Sequence, residues 1–304
     1  MITVPSMNID EQVTNGIYLS HSSSMGTEQQ AIIAEVFSAL EEGKLDLPTL
    51  PDMARKIQDL IDDPNVSAHQ VVNLLSADPA VSMHIIRAAN SAAFNDGKSV
   101  DNLRNAISRL GYRMLRSMVI NIAMTKLFQA GSPLIHQQLK KLWGHSREVA
   151  ANCYVLARQQ NHLKPDVAML AGLVHDIGAL PIYLHADRHH SHLDQVTLED
   201  MVCKFSSVIG AKLLQSWNFP EELIDVASGH ENLQRVNDSG AADYADLVTM
   251  ANLLHGPAKF IAWRNVFAAE RLGYYATDCQ NFLSNHAEQL AAAKEMLGIN
   301  SNQH

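Results

Sequence analysis

The chain has 304 residues and a formal net charge of -9, and 47% of its residues are hydrophobic. This length and composition suit one large globular domain or two smaller ones, and they exclude collagen-like, disulfide-scaffold and wholly disordered chains. The negative charge argues against a protein whose main partner is nucleic acid. Three cysteines without C-x-x-C spacing argue against a thiolate zinc site or a disulfide framework, which favours a reducing, cytoplasmic environment.

The sequence gives no sign of a membrane anchor or an export signal. The longest strongly apolar stretch, residues 118–124, is far shorter than the roughly 20 residues that span a bilayer. Residues 1–27 are rich in Ser, Asn, Thr and Gly and lack the basic start and apolar run of a signal peptide. We therefore predict a cytoplasmic protein whose first 27 residues form a flexible arm.

Helix signals follow one another from Thr27 to near the end of the chain. Thr27-x-x-Gln30 and Ser67-x-x-Gln70 have the form of capping boxes, and apolar residues then recur at helical spacing. We predict helices at about 27–43, 51–61, 67–75, 79–89, 103–110, 112–128, 133–161, 165–178, 198–217, 220–229, 241–255 and 281–297. Because no segment alternates with period two, the chain is predicted to be all-α.

The best candidate for an internal boundary is Gly131-Ser132-Pro133, since Gly and Pro together do not carry a helix onward. We predict two packed helical subdomains on either side of it. The N-terminal multi-helix lobe covers residues 28–130, and the C-terminal helical bundle covers residues 131–298 with a tail at 299–304.

The most distinctive local pattern is Gly172-Leu-Val-His175-Asp176-Ile-Gly178, near the end of an apolar helix. Adjacent His and Asp side chains are costly to bury unless they pair or bind something. Together they suit a divalent ion such as Zn, Mn or Fe, and His145 could reach the same place from an antiparallel helix. The alternative is that both histidines are core residues, hydrogen-bonded to backbone or to Asp176. Residue types alone favour this alternative.

Two other patterns have ordinary structural interpretations. Arg109, Arg113 and Arg116 follow helical spacing and could form a cationic face for an anionic ligand, but a solvated face is favoured. Trp143 and Trp217 stand beside apolar neighbours, which predicts core anchors. No Gly-rich phosphate loop or G-x-S-x-G elbow occurs, so nucleotide-driven motors, dinucleotide oxidoreductases and α/β-hydrolases are not supported.

Four histidines, His185, His189, His190 and His192, crowd one short stretch of the chain. They are dense enough to bind a soft divalent ion in vitro. Because helix-stop signals surround them, we predict a mobile surface loop at 185–192 whose metal affinity is adventitious.

Several motifs occur in a characteristic order between about residues 45 and 255. They are Leu47-Pro-Thr-Leu-Pro51, Asp78-Pro-Ala80 with Arg87-Ala-Ala-Asn-Ser91, Ala106-Ile-Ser-Arg-Leu-Gly111, Leu142-Trp-Gly-His-Ser146, Ala171-Gly-Leu-Val-His-Asp-Ile-Gly178, and Ile209-Gly-Ala211 with Trp217-x-x-Pro220. In this set the chain resembles the HDOD domain family, relatives of the HD metal-dependent phosphohydrolases found in bacterial signalling proteins. The resemblance implies a cytoplasmic bacterial signalling protein that works by binding, with an HD-like bundle as its C-terminal lobe.

The resemblance also implies where a metal centre would lie. Active HD hydrolases hold metal through a His, the His-Asp pair and a later Asp, and the first three map onto His145, His175 and Asp176. Where relatives often have two adjacent histidines, this chain has His230 followed by Glu231. The implied ligands of a vestigial Mn, Fe or Zn site are therefore His145, His175, Asp176 and His230, with Glu231 nearby.

Three further positions depart from the catalytic pattern. The later Asp falls at Asn252, and a neutral amide is a much poorer ligand for a dication than a carboxylate. Ser206 stands where relatives often carry His, and Ala179 replaces a Lys that could bind phosphate. These replacements disfavour hydrolysis.

The resulting prediction is a non-catalytic regulatory module with no resident cofactor, beyond a possible divalent metal. It would bind a protein partner in trans or a small-molecule signal, with no nucleic acid and no membrane as partners. The alternative is a metal-dependent phosphohydrolase acting on a nucleotide or a cyclic dinucleotide. In that case His145, His175, Asp176 and His230 would hold the metal, and Glu231 or Asn252 would complete the site.

Overall fold

The computed structural model describes residues 26–41, 50–94, 97–190, 192–237, 239–255, 265–274 and 276–299. Within these ranges the chain is helical with no strand, which confirms the all-α prediction. In chain order the helices are α1 (Thr27–Glu41), α2 (Asp52–Asp62), α3 (Ala68–Ser76), α4 (Pro79–Ala89), α5 (Leu103–Leu110), α6 (Tyr112–Met124), α7 (Pro133–Ala157), α8 (Pro165–Val174), α9 (Ala179–His189), α10 (Gln195–Ser216), α11 (Glu221–Gly229), α12 (Tyr244–His255), α13 (Phe267–Leu272), α14 (Ala276–Asn285) and α15 (Ala287–Met296). The predicted arm, apart from its last two residues, and most of the predicted tail lie outside the described residues.

Side-chain caps begin several of these helices where the sequence indicates them. Ser67 and Gln70 form a complete capping box at the start of α3. Asp78 accepts hydrogen bonds from the backbone of Ala80 and Val81 at the start of α4, and proline fills the first helical position there. Gly111, with a φ of 76°, separates α5 from α6 because a positive φ is strained for residues with a side chain.

Two groups of helices pack around one continuous core. Helices α2 to α6 contact one another in the first group, and α7 to α13 contact one another in the second. The groups meet where α6 lies on α8, and the chain passes from one to the other at Gly131–Pro133. Helix α1, which the sequence assigns to the N-terminal lobe, contacts α9 and α10 in the second group.

Several element predictions were wrong in detail. Residues 185–189 of the predicted loop are helical, because α9 continues to His189 and buries apolar side chains such as Leu184 and Ala186 on its inner face. Histidine-rich composition hid this helix. The segment predicted as one helix at 281–297 is divided at His286 into α14 and α15, and α13 was not predicted.

The helical stretch Pro165–His189 is long and apolar enough to cross a membrane. However, 94% of its most apolar window is buried inside the fold. Its apolar character is therefore that of core helices, in keeping with the position of α8 against α7, α6 and α12.

The favoured solvated face holds only for Arg113, whose side chain is 61% exposed, because Arg109 and Arg116 are partly buried. Arg113 pairs with Asp166 at 2.7 Å, and Arg116 pairs with Asp62 at 3.3 Å. Arg109 donates to the carbonyl oxygens of Ala89 and Lys98 at 3.1 and 2.8 Å. Each guanidinium thus ties two elements of the fold together. Gly111 ends the helix of Arg109 before that of Arg113 and Arg116 begins, so the three side chains do not share one helix face.

Trp143 confirms the prediction of a core anchor. Its side chain is buried and stacks on Phe128 with ring centroids 4.7 Å apart. Its indole Nε1 donates to Thr125 Oγ1 at 3.1 Å, so the polar end of the ring is satisfied. Trp217 is partly buried and packs against the same core.

Candidate metal centre of the C-terminal lobe

Asp176 lies at the centre of three imidazoles. It follows α8 in the turn before α9, and its Oδ2 lies 3.0 Å from His175 Nε2 and 3.7 Å from His145 Nε2. Its Oδ1 lies 3.2 Å from His230 Nε2. The fold therefore brings together all four side chains that the sequence singled out, from α7, from the α8–α9 turn and from the end of α11.

Close helix packing makes this convergence possible. A Cβ at Gly172 would lie 2.5 Å from Ala150 Cα, so only glycine allows α8 to approach α7 this closely. That approach brings His175 beside His145, with ring centroids 5.3 Å apart. On the other side, Thr249 Oγ1 of α12 donates to the backbone carbonyl of His230 at 2.7 Å and fixes the end of α11.

The orientation of two imidazoles favours a cation in the centre. His175 Nδ1 lies 2.9 Å from the carbonyl oxygen of Gly172, and His230 Nδ1 lies 2.9 Å from that of Val226. Because a carbonyl oxygen only accepts, each Nδ1 carries a proton and each neutral ring turns the lone pair of Nε2 toward Asp176. His175 Nε2 is buried without a hydrogen-bond partner. The Nε2 lone pairs therefore face the carboxylate oxygens of Asp176 and repel them. A proton on His230 Nε2, or a metal ion bound between these atoms, removes that repulsion.

The pKa values in the centre follow from burial and from the same contacts. Burial raises the pKa of Asp176, but the charge of His175 and the hydrogen bond of His230 outweigh it and hold that pKa well below its usual range. Burial lowers the pKa of His230, yet the hydrogen bond and charge of Asp176 raise it above the ordinary value. Burial and the neighbouring His175 lower the pKa of His145 to about 4. Asp176 is thus a carboxylate and His145 a neutral base at neutral pH.

The residues that depart from the catalytic pattern surround this group. Asn252 lies beside His145 on α12, and its side chain acts to raise the pKa of His145 against the larger effect of burial. Glu231 accepts a hydrogen bond from Ser207 Oγ at 3.1 Å, and its carboxylate oxygen lies within 4.8 Å of ligand atoms of Asp176 and His230. Ala179 is fully buried, so no cation extends from that position.

Ser206 and His255 have different relations to the centre. The backbone of Ser206 packs against Gly178, two residues beyond Asp176. His255 was missed by the sequence interpretation, although its ring lies 5.1 Å from that of His145. Its position three residues after Asn252 on the same helix is a signal that could have indicated it.

The family follows from a comparison of the whole motif set. A family model described as the HDOD domain matches residues 47–233, more than half of the chain. The chain belongs to the HDOD domain family. Helices α2 to α11, and the centre up to His230 and Glu231, lie within the HDOD match, whereas α12 with Asn252 and His255 lies beyond it.

Three relatives show how far the similarity extends. A crystal structure from Shewanella amazonensis SB2B, described only as a candidate metal-dependent phosphohydrolase, is 26% identical, with a TM-score of 0.71, and the alignment covers 88% of this HDOD chain and 100% of that chain. An HDOD domain protein of unknown function from Geobacter sulfurreducens has 21% identity and a TM-score of 0.64, with 88% and 98% covered. An uncharacterized protein of Treponema pallidum (strain Nichols) is 26% identical over 71% of this chain, which spans 43% of that relative's length.

The HDOD chain retains enough of the centre to hold one divalent ion. His145, His175 and Asp176 place one ligand atom each within 4.8 Å of one another, as do Asp176, His230 and Glu231. Imidazole and carboxylate together suit Zn, Mn or Fe. The buried Nε2 of His175, which makes no hydrogen bond although Asp176 Oδ2 lies 3.0 Å away, is the observation that fits these residues to such an ion.

Proposed function

We propose that this chain is a non-catalytic signal-transduction module of a bacterial cytoplasm, which binds a protein partner in trans or a small-molecule signal. The observation that carries the proposal is Asn252, which stands beside His145 with a neutral amide where a second carboxylate would be needed. A hydrolytic centre must hold its metal and deprotonate a water, and the loss of an anionic ligand weakens both.

The boundary between the lobes supports recognition of a small signal or a partner side chain. A cleft of about 510 Å³ lies there, within the range of small-ligand sites, and it is lined by Phe94, Leu110, Tyr112, Tyr154 and others. Arg113 and Asp166 form their ion pair at its edge, joining α6 to α8. A ligand in this cleft would act directly on the contact between the lobes.

One helix, α8, connects the cleft to the metal centre. Asp166, in the cleft, begins α8, and His175 with Asp176 ends it. An ion bound at the centre would supply positive charge between Asp176 and the imidazoles. Through this charge, His175 and Asp176 would hold the end of α8 against His230 at the end of α11. In the proposed mechanism, α8 moves as a rigid helix when a ligand binds in the cleft. Because its far end is fixed at the centre, this movement is transmitted to the C-terminal lobe.

A metal-dependent phosphohydrolase is the second candidate function. It is favoured by the retained group of three histidines and Asp176 and by the similarity to the Shewanella protein. In that case His145, neutral at pH 7 because burial and the adjacent His175 lower its pKa to about 4, would serve as a ligand or a base. The substrate class would be a nucleotide or a cyclic dinucleotide.

Restoring the carboxylate separates the two candidates. We expect tag-free protein loaded with Mn²⁺ or Zn²⁺ to turn over no phosphomonoester, phosphodiester or cyclic dinucleotide above the rate of an Asp176→Ala variant. Asn252→Asp should bind the metal roughly tenfold or more tightly than the natural chain, because a carboxylate replaces an amide beside His145. Metal content by elemental analysis, affinity by calorimetry and phosphate release are the measurements.

Asn105→Asp is the matched control, since Asn105 is exposed on α5, far from the centre in the chain. It should change neither affinity nor turnover. Turnover in the natural chain that disappears in Asp176→Ala would reject the non-catalytic proposal and establish the phosphohydrolase. An unchanged affinity in Asn252→Asp would show that Asn252 does not occupy the ligand position.

A further inference from the structure

A second group of metal-binding side chains lies outside the centre described above. Glu35 projects from α1, and its Oε2 lies 3.0 Å from His185 Nε2 and 3.1 Å from His190 Nε2. The three ligand atoms all lie within 4.8 Å of one another. None of these residues belongs to the Asp176 group, and His185 lies six residues after the start of α9, about 9 Å along the helix axis at 1.5 Å per residue.

We propose that Glu35, His185 and His190 form a transition-metal site of the zinc class that clamps α1 onto the C-terminal lobe. Two imidazoles and one carboxylate are a donor set that Zn²⁺ uses with an open fourth position. Imidazole nitrogen favours Zn, Cu and Ni over Mg and Ca, which sets the ligand class.

The spacing of the three atoms suits one small ion. With metal–ligand bonds of about 2.0–2.1 Å, neighbouring donors of a tetrahedral site lie about 3.3–3.4 Å apart. The two nitrogen–oxygen distances of 3.0 and 3.1 Å need to widen by only a few tenths of an ångström. The Glu35 side chain is 53% exposed, against 12% for His185, so the ion has a path from solvent and the imidazoles are held by packing.

Two further imidazoles lie close to the three ligands and could supply a fourth. The ring of His189 lies 4.7 Å from that of His185, and the ring of His192 lies 6.1 Å from that of His190. Either side chain is near enough to offer the fourth ligand after a change of rotamer. This crowding of four imidazoles beside one carboxylate is what distinguishes the site from an ordinary surface ion pair.

A bound ion would change how firmly α1 is attached to the C-terminal lobe. This helix contacts α9 and α10, where Phe37 meets Phe205 edge to face at 6.4 Å and Lys212 lies 5.2 Å from the ring of Phe37. The buried side chains of Ile32, Ile33 and Val36 also hold α1 against the core. An ion between Glu35 and α9 would add a cross-link to this packing, so α1 would be held more tightly when the metal is bound. This inference does not depend on the proposed signalling function.

Hydrogen exchange of α1 with and without zinc tests the clamp in the full, tag-free chain. With free Zn²⁺ at ten times its Kd, amide exchange in peptides from residues 27–41 should slow by about tenfold, following the factor 1 + [Zn²⁺]/Kd. Glu35→Gln and His190→Gln should each abolish this slowing. Glu35 lies at the surface and His190 is partly buried, with 18% of its side chain exposed, so circular dichroism with exchange elsewhere in the chain verifies that both variants fold.

His136→Gln is the matched control, because His136 is an exposed histidine on α7. It should keep the full slowing of α1. Zinc bound at the Asp176 centre protects peptides around α8 and α11 instead, so it cannot imitate the result. No slowing of α1 in the natural chain, or equal slowing in Glu35→Gln and His190→Gln, would overturn the proposal.

Discussion

Gly178→Ala is expected to destabilise the protein by about 3 kcal/mol or more, because overpacking against rigid backbone exceeds the usual cost of a tight side-chain fit. A Cβ at this position would lie 1.8 Å from the carbonyl oxygen of Ser206 and 2.4 Å from the backbone nitrogen of Gly210. Backbone atoms of α10 cannot rotate away as a side chain does, so α10 must move as a unit. The variant should lower Tm by roughly 5 °C or more.

The same displacement should reach the metal centre. Gly178 follows Asp176 by two residues, and α10 carries Ser207, which hydrogen-bonds to Glu231 at 3.1 Å. Metal affinity should therefore fall together with stability in Gly178→Ala. Thermal unfolding and metal titration on the same samples measure both effects.

Gly144→Ala is the control for this prediction. Gly144 precedes His145 within α7, and a Cβ there meets nothing within 4 Å. Because alanine is the better helix former, this variant should be more stable by about 0.5–1 kcal/mol. Equal destabilisation by the two substitutions would contradict the steric explanation.

Local signals in the sequence were sufficient for most helices, and the family resemblance was needed for the Asp176 centre. Capping residues such as Ser67 and Asp78 act within one turn, so their effect can be predicted without knowledge of the fold. The centre was found because the family resemblance aligned His145, His175 and His230, and the structure brings these imidazoles to one carboxylate. Whether they bind metal stays a prediction.

Contacts between distant segments could not be predicted. Glu35 and His185 are 150 residues apart, and nothing near Glu35 indicates that α1 would pack on α9. The histidines at the end of α9 were taken for a loop because polar composition concealed the buried face formed by Leu184 and Ala186. The partners of Arg113 and Arg116 also depend on packing, so helical spacing alone suggested a common face that does not exist.

The two glycine motifs that carried part of the resemblance illustrate the same limit. Gly178 and Gly210 are 32 residues apart, and a Cβ at Gly178 would lie 2.4 Å from the backbone nitrogen of Gly210, whereas a Cβ at Gly210 would lie 3.2 Å from that of Gly178. The sequence identifies both positions, but only the contact explains why glycine is required at Gly178. The physical requirement is close approach of α10 to the turn that holds Asp176.

Asp246→Asn is expected to destabilise the protein by about 3 kcal/mol or more at pH 7, since it removes one partner from a buried charge network. The Asp246 side chain is only 1% exposed and accepts from Arg235 Nη2 at 2.9 Å and from Arg271 Nε at 2.8 Å. Without its charge, two guanidinium groups remain in a largely buried site. Asp246 lies on the same face of α12 as Thr249, which contacts His230, and Asn252, which lies beside His145. A disturbance at Asp246 should therefore lower metal affinity at the Asp176 centre as well.

The dependence of this effect on pH identifies its electrostatic origin. Burial raises the pKa of Asp246, but the hydrogen bond of Arg271 and the charge of Arg235 lower it below the ordinary value. The contribution of Asp246 is therefore full above about pH 4, the pKa of an unfolded aspartate, and is lost as pH falls through its lower folded pKa. Urea unfolding from pH 7 downward should show the gap between the natural chain and Asp246→Asn narrowing below about pH 4. Asp52→Asn, which breaks an exposed pair with Arg55, should change stability by less than about 0.5 kcal/mol throughout. A gap for Asp246→Asn that stays constant to pH 3 would assign its effect to packing and not to charge.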